Sequence, residues 1–448
     1  MSDLLATGAS GVRAYQSALT TVSENIANAG TAGYARRSVS LKEVNAGAGI
    51  SSTNRVASGM GVVVDGVVRS ADAFRTADVR ASSADLARSE TGVAWLDRIQ
   101  TALTGNKLGD RLTSFFTSAQ AMAADPTASA PRSVFLEAGT SAANAFAATG
   151  KALDQIAADL DGTAENAVTT LSGLGAALAK VNDGLGRVTP GSTSAAQLLD
   201  QRDQLLEQMS AISDVSVSID VAGRAAVRLG GATGPMLVSG SDAGTVTYVR
   251  NDAGNVSFAV HRAGEISTLV PSGGALAGVV DGAQRIAAAR EQLNGIATSF
   301  VDGVNAVQAQ GRDLDGNPGA PMFATGDSPG DIQLTLTDPR GIAAAAVGGG
   351  PRDNSNLQAL SALRSSAGFE AKTTGLVADN AAALSSRQQV AEAQSAIRDG
   401  AVAARDAVSG VNLDSEAVDL MRFQQAYQAS SRVIQVARET LQSILDIR

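Results

Sequence analysis

Residues 412–444 read NLDSEAVDLMRFQQAYQASSRVIQVARETLQSI. Leu413, Leu420, Tyr427, Ile434 and Leu441 stand seven apart, and Phe423, Ala437 and Ile444 fill a second seam with Ser430 as its one polar member. Two apolar positions per heptad give one narrow stripe along a helix, the pattern of a coiled coil. Asn412 or Asp414 can cap its start, with Asp414, Glu416 and Asp419 near the positive end of the helix dipole. The other extremity repeats the device. Across residues 3–28, DLLATGASGVRAYQSALTTVSENIAN, Leu5, Val12, Leu19 and Ile26 are seven apart, and Tyr15 and Val22 follow three residues after Val12 and Leu19. That helix would be about 39 Å long at ~1.5 Å per residue and would stop at Asn28-Ala29-Gly30. Each stripe needs a partner, and the simplest partner is the other stripe. The termini are therefore expected to meet in a coiled coil, parallel or antiparallel. So thin a seam is expected to leave both ends disordered in the isolated chain and ordered on assembly.

Proline placement supports long terminal helices, because a helix-interior Pro costs roughly 3 kcal/mol. All ten Pro of the 448 residues lie between Pro126 and Pro351. Inside those limits helical periodicity predicts helices over about 70–104, 107–123, 131–187, 195–211, 276–310 and 357–408, with possible breaks at Gly150 and Gly162. A strand-like run, Gly59-Met60-Gly61-Val62-Val63-Val64, precedes the first of them. Period two takes over at Val215, Val217, Ile219 and Val221, followed by strand-like runs at 225–229, 236–239, 245–250 and 255–261. Residues 311–352 read as irregular, with one strand at 332–336. The expected fold is mainly α with a β insertion (α+β), elongated and multidomain. Residues 1–45 with 410–448 form a terminal coiled coil, 46–211 with 275–409 a helical bundle, and 212–274 a small antiparallel β domain. First and last segments pair, as do second and second-last, placing both termini at one end and the β unit at the other.

Composition excludes most chemistry. There is no Cys and a single His, His261, so disulfide scaffolds, zinc fingers, thiol nucleophiles and nearly all His-dependent acid–base catalysis are ruled out. Thirty-five basic against 44 acidic residues give a net charge of −9, which disfavours nucleic acid and anionic membranes as partners. No apolar run reaches 18 residues, and the N-terminus lacks the pattern of a cleaved secretory signal. Aromatics are only 3% of the chain, which suits thin helical packing. Local motifs read blandly. Asp313-Leu314-Asp315-Gly316-Asn317 opens like a calcium loop but has Pro318 at the sixth position and Ala324 at the twelfth, so a solvated turn is expected. His261 is read as a surface or edge-strand residue. Asp200/Asp203 and Asp414/Glu416 are read as solvated helix charges or caps, and Arg36-Arg37 as too small a basic spot for nucleic acid. No catalytic, cofactor or metal site is expected.

The terminal segments carry more than periodicity. Asn25-Ile26-Ala27-Asn28, then Thr31, Gly33 and Tyr34, resemble the N-terminal signature of bacterial flagellar axial proteins, with Gly30 and Ala32 in place of the usual Asn and Pro and hence a looser turn expected. Asn412-Leu413-Asp414 and Arg422-Phe423-Gln424-Gln425-Ala426-Tyr427 resemble the hook–filament junction branch of that rod, hook and junction family, as does Leu198-Leu199-Asp200-Gln201-Arg202-Asp203. The resemblance implies an extracellular structural protein, not an enzyme, joining hook to filament. It would be exported unfolded by the flagellar type III apparatus and held by an export chaperone at the C-terminal helix. It would assemble with the hook protein, the second junction protein and itself in a ring of about eleven copies. Leu5, Val12, Tyr15, Leu19, Val22, Ile26, Leu413, Leu420, Phe423, Tyr427, Ile434, Leu441 and Ile444 would form the assembly and chaperone interface. The alternatives are another axial protein (hook protein or second junction protein) and a wall-degrading hydrolase, whose only motive is the presence of carboxylates.

Overall fold

The computed structural model describes residues 2–31, 33–44 and 61–446. Ala32 of the signature, Gly59 and Met60 of the strand-like run, and Ile447-Arg448 lie outside these residues. The chain begins with α1 (Ser2–Ala27), a hairpin of β1 (Arg37–Glu43) and β2 (Val62–Arg69), then α2 (Ala73–Gly105), α3 (Leu108–Ala124), α4 (Ser129–Leu185) and α5 (Thr193–Ile212). Strands β3 (Val215–Ile219), β4 (Ala225–Leu229), β5 (Met236–Ser239), β6 (Asp242–Ala243), β7 (Thr245–Arg250), β8 (Val256–Arg262) and β9 (Glu265–Leu269) form antiparallel sheets ordered β3-β4-β5-β6 and β7-β8-β9. Helix α6 (Gly274–Gln310) follows. Short strands β10 (Gly311–Arg312), β11 (Phe323–Thr325), β12 (Ile332–Leu334) and β13 (Ala345–Ala346) come next, then α7 (Ser355–Ala367), α8 (Phe369–Ser409) and α9 (Leu413–Asp446).

Local chemistry sets these boundaries. Asp72 caps α2 by accepting the N–H groups of Phe74 and Arg75 at 2.8 and 3.1 Å. Gly368, at φ +60°, splits into α7 and α8 what periodicity read as one helix over 357–408. Helix α4 runs unbroken for 57 residues, about 86 Å at ~1.5 Å per residue, straight through Gly150 and Gly162. A lone Gly costs only ~1 kcal/mol against Ala, less than the neighbouring Leu153, Leu160 and Ala164 gain by complete burial.

Helices α1 and α9 pair antiparallel, with Gly8 against Ile434, Gly11 against Ser430, the Tyr15 and Phe423 rings 6.4 Å apart, and Asn25 against Glu416. Beyond them α2 packs on α8 and α6. Seven of the ten phenylalanines (Phe115, Phe116, Phe135, Phe146, Phe300, Phe323 and Phe369) stack in one cluster where α3, α4, α6, α8 and β11 converge. The few aromatics thus make one thick core at the end of the bundle away from the termini.

The β unit is not opposite the termini. Its sheets lie along the C-terminal half of α4, where Asn182 bonds the backbone of Ala225 and Gly240 and the Ser172 hydroxyl accepts the Val246 N–H. The turn between β3 and β4 touches α5, with Arg202 Nη1 donating to Gly223 O at 2.7 Å. Nested helix order says nothing of where an insertion docks; the length of α4 decides it. Strand β9 escaped the alternation because Glu265–Thr268 are all exposed. Val221 leaves the strand because Asp220 Oδ1 accepts the N–H groups of Ala222 and Arg224 and bends the chain.

Candidate assembly interface

Two seams meet between α1 and α9, and one is not where the large side chains predicted. On α9 the covered line is Glu416, Leu420, Phe423, Tyr427, Ser430, Ile434 and Ala437. On α1 it is Gly8, Gly11, Ala14, Ala18, Val22 and Asn25, with Tyr15 half-buried beside them. Leu5, Val12 and Leu19 are only half-buried on its flank, and Ile26 is 38% exposed. The small-residue line wins because it brings the backbones together. A Cβ on Gly8 would stand 2.7 Å from Ile434 Cγ1, and one on Gly11 2.6 Å from Ser430 Oγ. Close approach multiplies dispersion contacts along the pair. At its ends the pair is open: Leu413, Leu441 and Ile444 are 54, 43 and 54% exposed.

Where the pair joins the body, the signature residues build a buried polar node. Helix α1 ends in a turn closed by Thr31 N–H to Asn28 O (2.9 Å) and Tyr34 N–H to Thr31 O (3.2 Å), with Asn28 Nδ2 donating to Glu24 O and Thr31 Oγ1 to Asn28 Oδ1. The turn is therefore closed, not looser, and Gly33 takes its left-handed φ of +79°. It returns the chain so that Asn25, fully buried, is used at every polar position. Its Nδ2 donates to Arg37 O (2.8 Å) and Glu416 Oε2 (2.9 Å); its Oδ1 accepts Tyr34 Oη (2.8 Å) and Arg37 N–H (3.0 Å). Glu416, also fully buried, accepts Arg36 Nε at 2.5 Å, and Arg36 reaches Asp419 at 3.2 Å. Arg37, 4% exposed, stacks on Tyr34 and donates to Asp200 Oδ2 at 2.6 Å. Arg69, from β2, holds Asp203 at 2.8 Å; its Nε lies 2.7 Å from Asp200 Oδ1 but too bent to count as a hydrogen bond.

So Asp200, Asp203 and Glu416 are not solvated helix charges, and Arg36-Arg37 is not a free basic spot. Each terminates a buried contact between the terminal pair, the hairpin and α5, because an unpaired charge there would cost several kcal/mol. Burial raises the Asp200 carboxyl, and Arg69 and Arg37 pull it back. Burial likewise raises the Tyr34 phenol against the lowering effect of Arg37. Helix periodicity hides such groups; the signal available was an acidic pair three apart, Asp200 and Asp203, on a helix with apolar faces. Asn412 Oδ1 caps α9 by accepting Ser415 N–H at 3.1 Å. Arg422 pairs with Asp419 and stacks on Phe423, while Gln424 and Gln425 are exposed. His261 is not on an edge strand: it lies on β8, the middle strand of its sheet, and contacts Thr247 of β7 at the surface. Asp313 folds its turn by accepting Asp315 and Asn317 N–H groups, and no metal-ligating cluster occurs among the described residues.

Beside the node, the α1–β1 turn, the α2 start, α5 and the α8–α9 linker enclose a cleft of about 990 Å³. Opposite the covered seam, α9 shows a second apolar face, with Val418, Met421, Val433 and Val436 between 39 and 60% exposed.

Residues 94–323, just over half of the chain, match the family described as the flagellar hook-associated protein FlgK helical domain. The chain belongs to the FlgK family. Residues 405–447 also match the C-terminal segment of the flagellar basal body rod FlgEFG proteins. Curated FlgK relatives named flagellar hook-associated protein 1 align from end to end. The Salmonella typhimurium protein is 27% identical over 559 positions, covering 100% of both chains, and the Escherichia coli K12 protein 25% identical over the whole of each. The Bacillus subtilis protein is 25% identical over 99% of this chain and 97% of its own. An alignment longer than the 448 residues present here means that the Salmonella relative carries residues this chain lacks. The flagellar hook junction protein FlgK of Burkholderia pseudomallei shares the fold, with a TM-score of 0.51 and 24% identity over 56% of this chain and 47% of that one. FlgK proteins are structural parts of the flagellum. The match over 405–447 covers α9 and the linker before it, the elements that carry the open apolar face.

Proposed function

We propose that this chain is a structural subunit of the hook–filament junction, joining hook to filament through its terminal helix pair. The second face of α9 carries the reading. Val418 and Val436 stand five turns apart at ~3.6 residues per turn, on one line, and both are 60% exposed. Exposed aliphatic groups on an already paired helix, here Val418 and Val436 with Met421 and Val433 to either side and Gln425, Ala429 and Arg432 between them, offer a surface to a partner. In a polymer the neighbouring copy and the axial proteins above and below supply it. The names of the end-to-end relatives, and the rod-protein likeness of the C-terminal segment, support the same reading. The partners are the hook protein on one side, the second junction protein on the other, and copies of this chain in a ring of about eleven. Before assembly the chain travels unfolded through the type III export apparatus, with a chaperone on α9 covering Leu420, Phe423, Tyr427, Ile434 and Leu441.

The test replaces both valines, Val418→Asp with Val436→Asp, in the full chain. Both sites are open, so helix content and melting should stay within ~0.5 kcal/mol of the parent. Cells carrying the variant should release filament subunits and lose swimming. Normal filaments on a folded double variant would refute the proposal.

A further inference from the structure

We infer that residues 388–404 of α8 form a strap that lifts from α2 while the helices around it stay folded, and that its lifting lets the terminal pair pivot on the polar node. This goes beyond the junction reading and does not depend on it. Helix α8 links the body to α9 through residues 410–412. It is tied at both ends. At its start Phe369, Thr373 and Leu376 are buried, Phe369 stacks on Phe116 at 5.9 Å, and Asn380 Nδ2 donates to Leu96 O at 3.0 Å and Gln100 Oε1 at 2.8 Å. Further along, Arg387 and Arg88 share Asp281. At its end Arg405 pairs with Glu207 at 3.1 Å, and buried Ser409 accepts Arg36 N–H on its carbonyl at 2.8 Å.

Between those ties nothing seals it. No residue of α8 between Leu376 and Ser409 is buried. Asn380, Arg387, Gln394, Arg398 and Arg405 follow one another at steps of seven or four residues, so they share one face. That face meets α2, since Asn380 reaches Leu96 and a Cβ on Gly92 would lie 3.4 Å from Arg387 Nε. The seam on α2 thus carries polar side chains, where α9 sets Leu420, Phe423, Tyr427 and Ile434 against α1. Two of them are unmatched. Gln394 Oε1 and Arg398 Nε are buried without a hydrogen-bond partner, which offsets the contact their stems make. Among the described residues no side chain from 388 to 404 bonds another element; Arg398 meets only its chain neighbour Asp399, at 3.3 Å. The larger aliphatics do not compensate, because Val390 and Ile397 are 42 and 63% exposed. Gly400 weakens the helix further, and no buried side chain in its turn offsets it, unlike Gly150 and Gly162 on α4. Few buried contacts and no bonds to other elements put a segment at the low end of local stability. The order of opening is then the reverse of what the narrow terminal stripes suggest: α8 yields before α9. Once the strap lifts, α9 is held by α1 and the node, and the Asn25–Glu416 contact is the pivot.

Hydrogen exchange of the full chain in dilute solution reads this order directly. A helix freed of its neighbour is marginal in water, so lifting lays its amides open. Residues 388–404 should be at least ~100-fold less protected than α2 from Ala84 to Leu103, and less protected than α9 from Glu416 to Ile434. Equal protection in α8 and α2 overturns the strap, as does α9 opening first. Gln394→Leu with Arg398→Leu makes the seam apolar and should raise protection of 388–404 by roughly tenfold or more, with α4 unchanged. Gly400→Ala, at an open site, should act in the same direction by a smaller factor. No gain from either variant overturns the account. The chain has no cysteine, so spin labels on Lys151→Cys and Gln425→Cys report on the body and the terminal pair alone. Their distance distribution should be broad with the native seam and narrower with the two leucines. Equal widths overturn the pivot.

Discussion

Replacing Asn25 by Ala tests whether the polar node locks the terminal pair to the body. The amide makes four hydrogen bonds, to Arg37 N–H, Arg37 O, Tyr34 Oη and Glu416 Oε2. The four losses differ in weight. Tyr34 is partly open and can turn to water, and Glu416 keeps Arg36 at 2.5 Å. The Arg37 N–H and C=O are left buried with nothing in reach, at about 1–3 kcal/mol each. The sum is roughly 2–6 kcal/mol, a large part of the ~5–15 kcal/mol that holds a domain together. Global unfolding is the wrong assay for a chain with several cores. Hydrogen exchange read helix by helix is the right one. Protection of α1 and α9 should fall by that amount while α4, which touches none of these groups, keeps its own. A cycle adding Glu416→Gln should show coupling of about 0.5–3 kcal/mol, as expected for groups in one network. A loss under 1 kcal/mol in α1, or an equal loss in α4, would refute the account.

Other perturbations separate the remaining features. Gly8→Ile with Gly11→Ile should force α9 off α1, since even a Cβ there meets Ile434 and Ser430 under 3 Å, and limited proteolysis should then cut α9 first. Asn182→Ala should cost about 2–4 kcal/mol by stranding Ala225 N–H and O, with exchange rising in β4 and not in the phenylalanine cluster. Ser355 and Ala346 donate to Asp353 and hold its carboxyl below the usual range. Its stabilising effect is therefore present above the unfolded value near ~3.9 and lost as pH falls through the lower folded value. Asp353→Asn should flatten that acid limb in melting curves, and an unchanged limb would count against the assignment.

Much of the architecture was legible because long-helix signals are redundant. Proline-free ends, heptads and capping residues all pointed the same way, and the antiparallel β unit showed itself by period two. What escaped was geometry that no single segment encodes. The docking of the β unit follows from the length of α4, which breaks at neither Gly150 nor Gly162 because buried Leu153 and Leu160 outweigh one glycine each. The α1 seam was misplaced by about one residue because large side chains draw attention while packing favours the line Gly8, Gly11, Ala14, Ala18, where backbones can touch. The family signature marked Asn25, Tyr34 and Asp200 without saying what they do. Their roles need three distant segments brought to one point.

The node and the open face do different work, and the difference follows from the physics of each. Burial of apolar area is non-directional, so a seam of Leu, Ile and Ala alone would tolerate neighbouring registers at similar energy. Asn25 facing Glu416 tolerates one register, since sliding α9 by a turn strands a buried carboxylate and a buried amide together. The register in turn fixes where along the pair the outward residues of α9 sit: with Glu416 seated, Val418 and Val436 have one axial position. A register error would therefore displace the assembly face by about 5.4 Å per turn as well as break the node. Apolar replacement should not rescue assembly. A chain with Asn25→Leu and Glu416→Leu has an apolar seam but still strands the Arg37 N–H and C=O, so α1 protection should stay below the parent level, α9 should seat in more than one register, and filaments on it should stay sparse. Full swimming with that pair of leucines would show that the polar contact contributes stability alone, and that the outward face is set by packing.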